Sequence, residues 1–236
     1  MLIGAFGCLP ALAGGAITLK AMANSKQVVR NHEYSANLWR NVPVERLFPD
    51  MMGIREAHAR ERRPQDGRGW RRMAVSEETA CGRALSGQLG ELAAAHGCRS
   101  AVRATYLDVS GGTAATVAIV TFKDTDGVKE LEHILEEAQS NEADYGVRAL
   151  PARGTQWKDA ARAGSGGTFC LDRHTPVFVA VTAGPADGRK AGKLPFPWGK
   201  RDWDQRADRS PWGYSAVGLA QEVAAQLVRE SRAAQA

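Results

Sequence analysis

Apolar and polar residues follow three different rhythms along this chain. From Leu2 to Leu19 eighteen consecutive residues carry no charge. Between Ala101 and Phe122 the pattern is that of strands: Ala101–Val109 and Ala115–Phe122, rich in β-branched residues, flank Ser110-Gly111-Gly112-Thr113, a turn of the right length for an antiparallel hairpin. Helical spacing follows, with Val128, Leu131, Ile134 and Leu135 on one stripe that predicts a helix covering the hairpin. Thr168–Leu171 and Val177–Thr182 predict a second strand pair, and Gly164-Ser165-Gly166-Gly167 before it reads as a flexible connection. A final helix is predicted from Ser215 to about Arg229, with Val217, Ala220, Val223, Ala224, Leu227 and Val228 on one side. Upstream, Trp70, Met73 and Val75 mark a short strand or extended entry, and Ser76 with Glu77 and Glu78 predicts a helix start. This order predicts an α+β fold: an antiparallel sheet built from two hairpins with helices packed on one face, preceded by an N-terminal transmembrane helix.

The opening run decides the expected location. At ~1.5 Å per residue eighteen residues give a helix of roughly 27 Å, close to the ~30 Å hydrocarbon core of a bilayer. Gly4, Gly7, Gly14, Gly15 and Pro10 dilute its apolarity. Ala21-Met22-Ala23 would suit signal-peptide cleavage, but no Lys or Arg precedes the run, and Cys8 lacks the surroundings of a lipidation site. An anchor is the preferred reading. Lys20, Lys26 and Arg30 would hold the following domain inside by the positive-inside rule, whereas long domains translocate largely regardless of charge. The layout is a transmembrane helix or signal anchor over 1–23, a stalk and basic linker over 24–69, and an extracytoplasmic α+β domain over 70–236.

With 44% hydrophobic and 24% charged residues the chain is globular and large enough for one core. Its formal charge of +5 comes mainly from arginine. Seven arginines lie between Arg55 and Arg72 in a Gly/Pro-containing stretch without apolar periodicity, a solvated linker or a contact for anionic lipid and wall polymers. Nucleic acid comes last among the partners and is not expected, since no aromatic interleaving or binding motif accompanies them. Before that stretch, Trp39, Val42, Val44, Leu47 and Phe48 are scattered around Pro43 and Pro49, which predicts an extended strip docked on a domain surface.

Four cysteines occur, Cys8, Cys81, Cys98 and Cys170. In one straight helix Cys81 and Cys98 would stand roughly 25 Å apart, far beyond the ~4.4–6.8 Å between Cα atoms of a disulfide. Gly82 and Ser86-Gly87 allow a break, after which Leu89, Leu92 and Ala93 mark a second short helix ending at Gly97. A bent helix pair can join the cysteines in an oxidising compartment; two buried free thiols are the alternative.

The strings Val42-Pro43-Val44-Glu45-Arg46-Leu47-Phe48-Pro49, Gly69-Trp70-Arg71-Arg72-Met73-Ala74-Val75, Gly97-Cys98 and Arg103-Ala104-Thr105-Tyr106 resemble a group of actinobacterial proteins with one N-terminal membrane helix and an extracytoplasmic domain. The resemblance covers most of the chain after residue 40. It implies that location and supports the Cys81–Cys98 pair, and it brings no catalytic residues with it.

Candidate chemistry is sparse. Cys170, Asp172 and His174 alternate and would share one face of a strand, as a thiol enzyme or envelope hydrolase using Cys170 and His174 would require. Adjacent same-face residues stand ~6.5–7 Å apart, however, beyond hydrogen-bond reach. Gly164–Gly167 lacks the Gly-Lys-Ser/Thr ending of a phosphate loop, and the twelfth position counted from Asp124 is Leu135, not the glutamate of a calcium loop. Asp126 is read as a helix N-cap, and the remaining histidines form no ligand pattern. No catalytic residue, metal or cofactor is therefore assigned. Trp198, Trp203 and Trp212, among prolines and charges, are the candidate platform for a partner, glycan or membrane interface. The expectation is a non-enzymatic, membrane-anchored envelope protein whose domain binds or senses an envelope protein or wall polymer.

Overall fold

The computed structural model describes residues 37–53, 69–131, 145–169, 175–190 and 211–233. Two short helices, α1 (Leu38–Asn41) and α2 (Val44–Leu47), lead to β1 (Met51–Met52) and β2 (Trp70–Val75). Then follow α3 (Cys81–Ala84), β3 (Leu85–Ser86), α4 (Gly87–Ala95), β4 (Cys98–Asp108) and β5 (Thr113–Phe122). A helical stretch over 126–131 precedes β6 (Tyr145–Val147), a 3-10 turn (Asp159–Ala161), β7 (Gly164–Phe169), β8 (Val177–Pro185) and α5 (Pro211–Ala233). Among these helices none is long and apolar enough to cross a membrane. Residues 1–23, read as the anchor, lie outside the described residues.

Six strands form one sheet in the order β1-β2-β4-β5-β8-β7, every pair antiparallel, while β3 and β6 make a separate two-stranded pair. The α+β class and the β4–β5 hairpin agree with expectation, and a second pair forms with its first strand shifted to Gly164–Phe169. The β4–β5 turn is held by Asp108, whose carboxylate accepts from Ser110 Oγ at 2.7 Å and Thr113 N at 3.0 Å. Gly111 takes φ 74 there, a conformation that costs a residue without a Cβ little.

Helices cover both faces of the sheet, which corrects the expectation of one. The reason lies in β5 and β8, whose residues are apolar or small at even and odd positions alike. Ala115, Val117 and Ile119 of β5 and Val177, Val179, Val181 and Ala183 of β8 pack under α5 with Val42, Leu47, Phe48 and Trp70. Ala118, Val120, Phe122, Phe178 and Ala180 point the other way, against Leu89, Leu92 and Ala93 of α4 and Val128 and Leu131 of the 126–131 helix. A strand buried along its whole length must be covered twice.

The strip before β1 is also more deeply placed than expected. Leu47 and Phe48 are fully buried, and the strip folds as α1 and α2. Tyr106 fastens it from below by donating to the Pro49 carbonyl at 3.0 Å, and burial raises its phenol well above the usual pKa, so it stays a donor. From above, Gln226 Nε2 of α5 donates to the Arg46 carbonyl at 2.9 Å, and Arg46 pairs with Glu230. Residues 76–80 are extended rather than helical, because Ser76 N donates to Arg103 O and the Thr79 carbonyl accepts from Ala101 N, both at 2.9 Å. Asp126 lies within the first helical turn, and Asp124 caps it by accepting from Asp126 N at 3.1 Å.

The glycines at 164–167 are not a loop. They form edge strand β7, paired with β8 from Gly164↔Ala183 to Phe169↔Phe178. A Cβ on Gly164 would stand 2.1 Å from Gly213 N and 2.4 Å from Trp212 C, and one on Gly166 would stand 2.7 Å from Val217 N. Helix α5 therefore rests its backbone directly on the strand. On the opposite face a Cβ on Gly167 would meet the Phe178 ring at 2.4 Å. Along α5 the contact stripe Ala216, Leu219, Ala220, Val223, Ala224 and Leu227 keeps helical spacing. Gly164→Ala should destabilise the protein by about 2–3 kcal/mol in urea unfolding, because the new methyl meets backbone that cannot step aside. Gly218→Ala, a site in α5 with nothing within 4 Å of the new methyl, should raise stability by up to about 1 kcal/mol through helix propensity.

Candidate functional site

The sheet face opposite α5 carries a polar row that crosses four strands. Thr105 of β4 is in register with Thr116 of β5, Thr116 with Thr182 of β8, and Thr182 with Ser165 of β7. The three threonines are buried. Their hydroxyls hold the chain that crosses this face after β6. Thr182 Oγ1 accepts from Val147 N at 2.9 Å, and Thr116 Oγ1 accepts from Leu150 N at 3.0 Å and Trp157 Nε1 at 2.8 Å. With both acceptor positions filled, Thr116 gives its own proton to Thr105 Oγ1, 2.9 Å away, and Thr105 donates onward to Leu150 O at 2.7 Å. The arrangement admits one set of proton positions.

Next to this row the guanidinium groups of Arg148 and Arg162 flank the Asp159 carboxylate, and a third, that of Arg103, lies against the Arg148 backbone. Arg103 of β4 is only 7% exposed; its Nη1 donates to Arg148 O at 3.0 Å, and its Nε is buried without a partner. Burial lowers the Arg103 pKa, opposed by the charges of Asp159 and Glu78, and Arg148 lowers it further. Arg148 Nε donates to Leu85 O at 3.1 Å, while its Nη1 stands 3.8 Å from Asp159 Oδ2. Arg162 reaches Ser86 Oγ at 2.6 Å and lies 3.4 Å from Asp159 Oδ1. Asp159 is itself positioned by Ala149 N, which donates to Oδ1 at 2.7 Å. The types and spacing suit recognition of an oxyanion, not proton transfer, since a guanidinium stays charged and offers planar pairs of donors.

The Cys81–Cys98 disulfide closes one side of this region, with Cα atoms 6.3 Å apart. The break that permits it falls at Leu85–Ser86, which leave the helix to pair with Val147 and Gly146 of β6. Gly87 at φ 56 starts α4, and Gly97 at φ 68 ends it. The bond ties α3 to the start of β4, and the Ala84 and Leu85 carbonyls at the end of α3 accept from Arg148 N at 2.8 Å and Arg148 Nε.

Of the sequence candidates, Trp212 opens α5 and packs half-buried against the main core. Trp198, Trp203, Cys170, Asp172 and His174 lie outside the described residues. Among the described residues no three His, Cys, Asp or Glu side chains are grouped to hold a metal. The polar row and the arginine group were missed by sequence reasoning. The available signal was Arg103, Thr105 and Thr116 interrupting otherwise apolar strands. No protein-family model, curated protein or solved structure matches this chain.

Thr116→Val should cost about 3 kcal/mol or more in chemical denaturation, because it strands the buried donors of Leu150 and Trp157 together. Thr105→Val should cost less, about 1–2 kcal/mol, since it leaves the Leu150 carbonyl and the Thr116 hydroxyl proton, which can rotate to a new acceptor, and no fixed N–H. Cys81→Ser and Cys98→Ser should each destabilise by about 3 kcal/mol, the loop-closure value for a 17-residue separation. The double variant should be no worse than either single, measured as a thermodynamic cycle under non-reducing conditions.

Proposed function

We propose that this chain is a membrane-anchored protein of the cell envelope, held by residues 1–23, whose α+β domain lies outside the cytoplasm and binds or senses a partner without catalysing a reaction. The observation that carries the reading is the Cys81–Cys98 disulfide. Such bonds persist in oxidising compartments and are rare where thiols are kept reduced. The bond packs partly buried against one core cluster and helps position a group of arginines, the role of a structural bridge and not of a redox centre. The uncharged run from Leu2 to Leu19 and the resemblance to anchored actinobacterial proteins favour the same location.

A binding role also fits the kind of chemistry available. The arginine group offers donors and positive charge but has no nucleophile paired with a base. The partner is an envelope protein or wall polymer, and lipid holds the anchor. Trp198, Trp203 and Trp212 are the candidate partner-binding residues of this reading.

The test is labelling of intact cells with a membrane-impermeant maleimide, in a Cys8→Ser, Cys170→Ser background that leaves one cysteine pair. Cys81 and Cys98 should stay unlabelled until an impermeant reductant is added and then label without lysis. Labelling that requires lysis would place the domain inside. In fractionation, full-length protein should resist alkaline carbonate and come off in detergent. A soluble form starting near residue 24 would replace the anchor with a cleaved signal.

A further inference from the structure

We propose that Arg103 and Arg148, with Arg162 beside them, form a binding site for a single oxyanion group, phosphoryl or carboxylate, carried by an acidic ligand. The site names the ligand chemistry for the binding role proposed above and rests on that role only for where the ligand comes from. Arg103 stands on a central strand of the sheet, in register with Ala118 of β5, in surroundings that are otherwise apolar or hydroxylic. A charge placed there with incomplete pairing is costly. Yet the protein engages it through one hydrogen bond, from Nη1 to the Arg148 carbonyl. Among the described residues no carboxylate comes within ion-pair distance of it; Asp159 and Glu78 act on it only through space.

A purely structural role explains part of this group. Arg148 Nε and Arg162 Nη1 secure the Leu85 carbonyl and the Ser86 hydroxyl, and thereby the β3–β6 pair. It leaves Arg103 Nη2 and the two terminal nitrogens of Arg148 unused, apart from the 3.8 Å approach of Arg148 to Asp159. That distance is beyond a hydrogen bond. Arg103 Nε is closed to solvent, so a ligand oxygen would approach through Nη2 of Arg103 and the Arg148 fork, whose side chain is 46% exposed. The planar donor pairs of Arg103 and Arg148 are of the kind that binds a carboxylate or phosphate through two parallel hydrogen bonds.

Asp159 has a distinct part in the site. Its side chain is 44% exposed and shared between Arg148 and Arg162, and it occupies the place of an internal anion that holds the guanidiniums until a ligand arrives. The arginines outnumber it, so the site retains attraction for a second negative group. This assigns Arg148 and Asp159 opposite effects on affinity, which a structural network alone does not predict.

The experiment uses the full-length chain in detergent, oxidised, with inorganic phosphate and acetate titrated separately against chloride at equal ionic strength and followed by calorimetry. Saturable binding of at least one of the two is expected; stronger phosphate binding identifies a phosphoryl ligand and stronger acetate binding a carboxylate. Arg148→Gln, a half-exposed position that should fold normally by circular dichroism, is expected to weaken binding about tenfold or more through the loss of charged hydrogen bonds. Asp159→Asn keeps the acceptor for Ala149 N but removes the competing charge, and is expected to strengthen binding by about threefold, the Coulomb effect of one unit charge roughly 6 Å away in a water-like medium. Absence of saturable binding to either anion overturns the proposal, as does binding that neither variant alters or that Asp159→Asn weakens. Such a result, with Cys81 and Cys98 still labelled from outside, would leave the envelope location standing.

Discussion

A buried sheet face can carry a crossing strand of backbone only if the sheet supplies hydrogen-bonding partners from its side chains, because its own backbone is already used in the ladder. The row Thr105, Thr116 and Thr182 answers that requirement here. It satisfies the amides of Val147 and Leu150, the carbonyl of Leu150 and the indole N–H of Trp157. Much of the second layer depends on it. With the chain held at 147–150, β6 can pair with β3, Arg148 is brought beside Asp159, and Trp157 closes over Ala114. The hydroxyls accept and donate in one consistent direction, so the row specifies a position as well as stabilising it.

The other face is governed by closeness instead of polarity. Gly164 and Gly166 remove side chains from the edge strand, and the backbone of α5 settles where those side chains would have stood. The helix then reaches over Val179, Val181 and Ile119 with Leu219, Val223 and Leu227. Because α5 also clamps α2 through Gln226 and Glu230, the N-terminal strip and the C-terminal helix are joined into one core although they are far apart in sequence. Residues 42–52 are thus part of the packed domain, with Val42, Leu47, Phe48 and Met52 all buried.

The two layers meet chemically at the arginine group. Arg103 projects from the sheet, Arg148 follows the crossing strand, Arg162 follows the 3-10 turn, and the disulfide anchors α3 beside them. A positive site built from three separate segments needs each segment fixed, and the hydroxyl row and the Cys81–Cys98 bond supply that fixation. The charge therefore sits on rigid elements, partly shielded from solvent, where each hydrogen bond counts for more than in water.

Much of the architecture was legible in local pattern. The β4–β5 hairpin, the final helix and the break between the cysteines follow from periodicity, turn chemistry and glycine, which are properties of neighbouring residues. The uncharged opening run and the charge balance are likewise read without a fold. What local pattern could not convey was how segments meet. The glycines at 164–167 look like a loop because their value as a strand lies in the side chains they lack, and that shows only when α5 is seen resting on them. Helices on both faces were missed because small residues such as Ala115, Ala118 and Ala180 read as neutral until both layers are packed against them. Arg103, Thr105 and Thr116 looked like ordinary strand positions, since their partners Arg148, Leu150 and Trp157 lie more than thirty residues away. The sequence by itself determined the β4–β5 hairpin, the final helix and the cysteine break, because those depend on short-range conformational preference. Only the tertiary structure decided the polar row, the arginine group and the glycine contact, because each is a meeting of distant segments whose energy exists only once the backbone has brought them together.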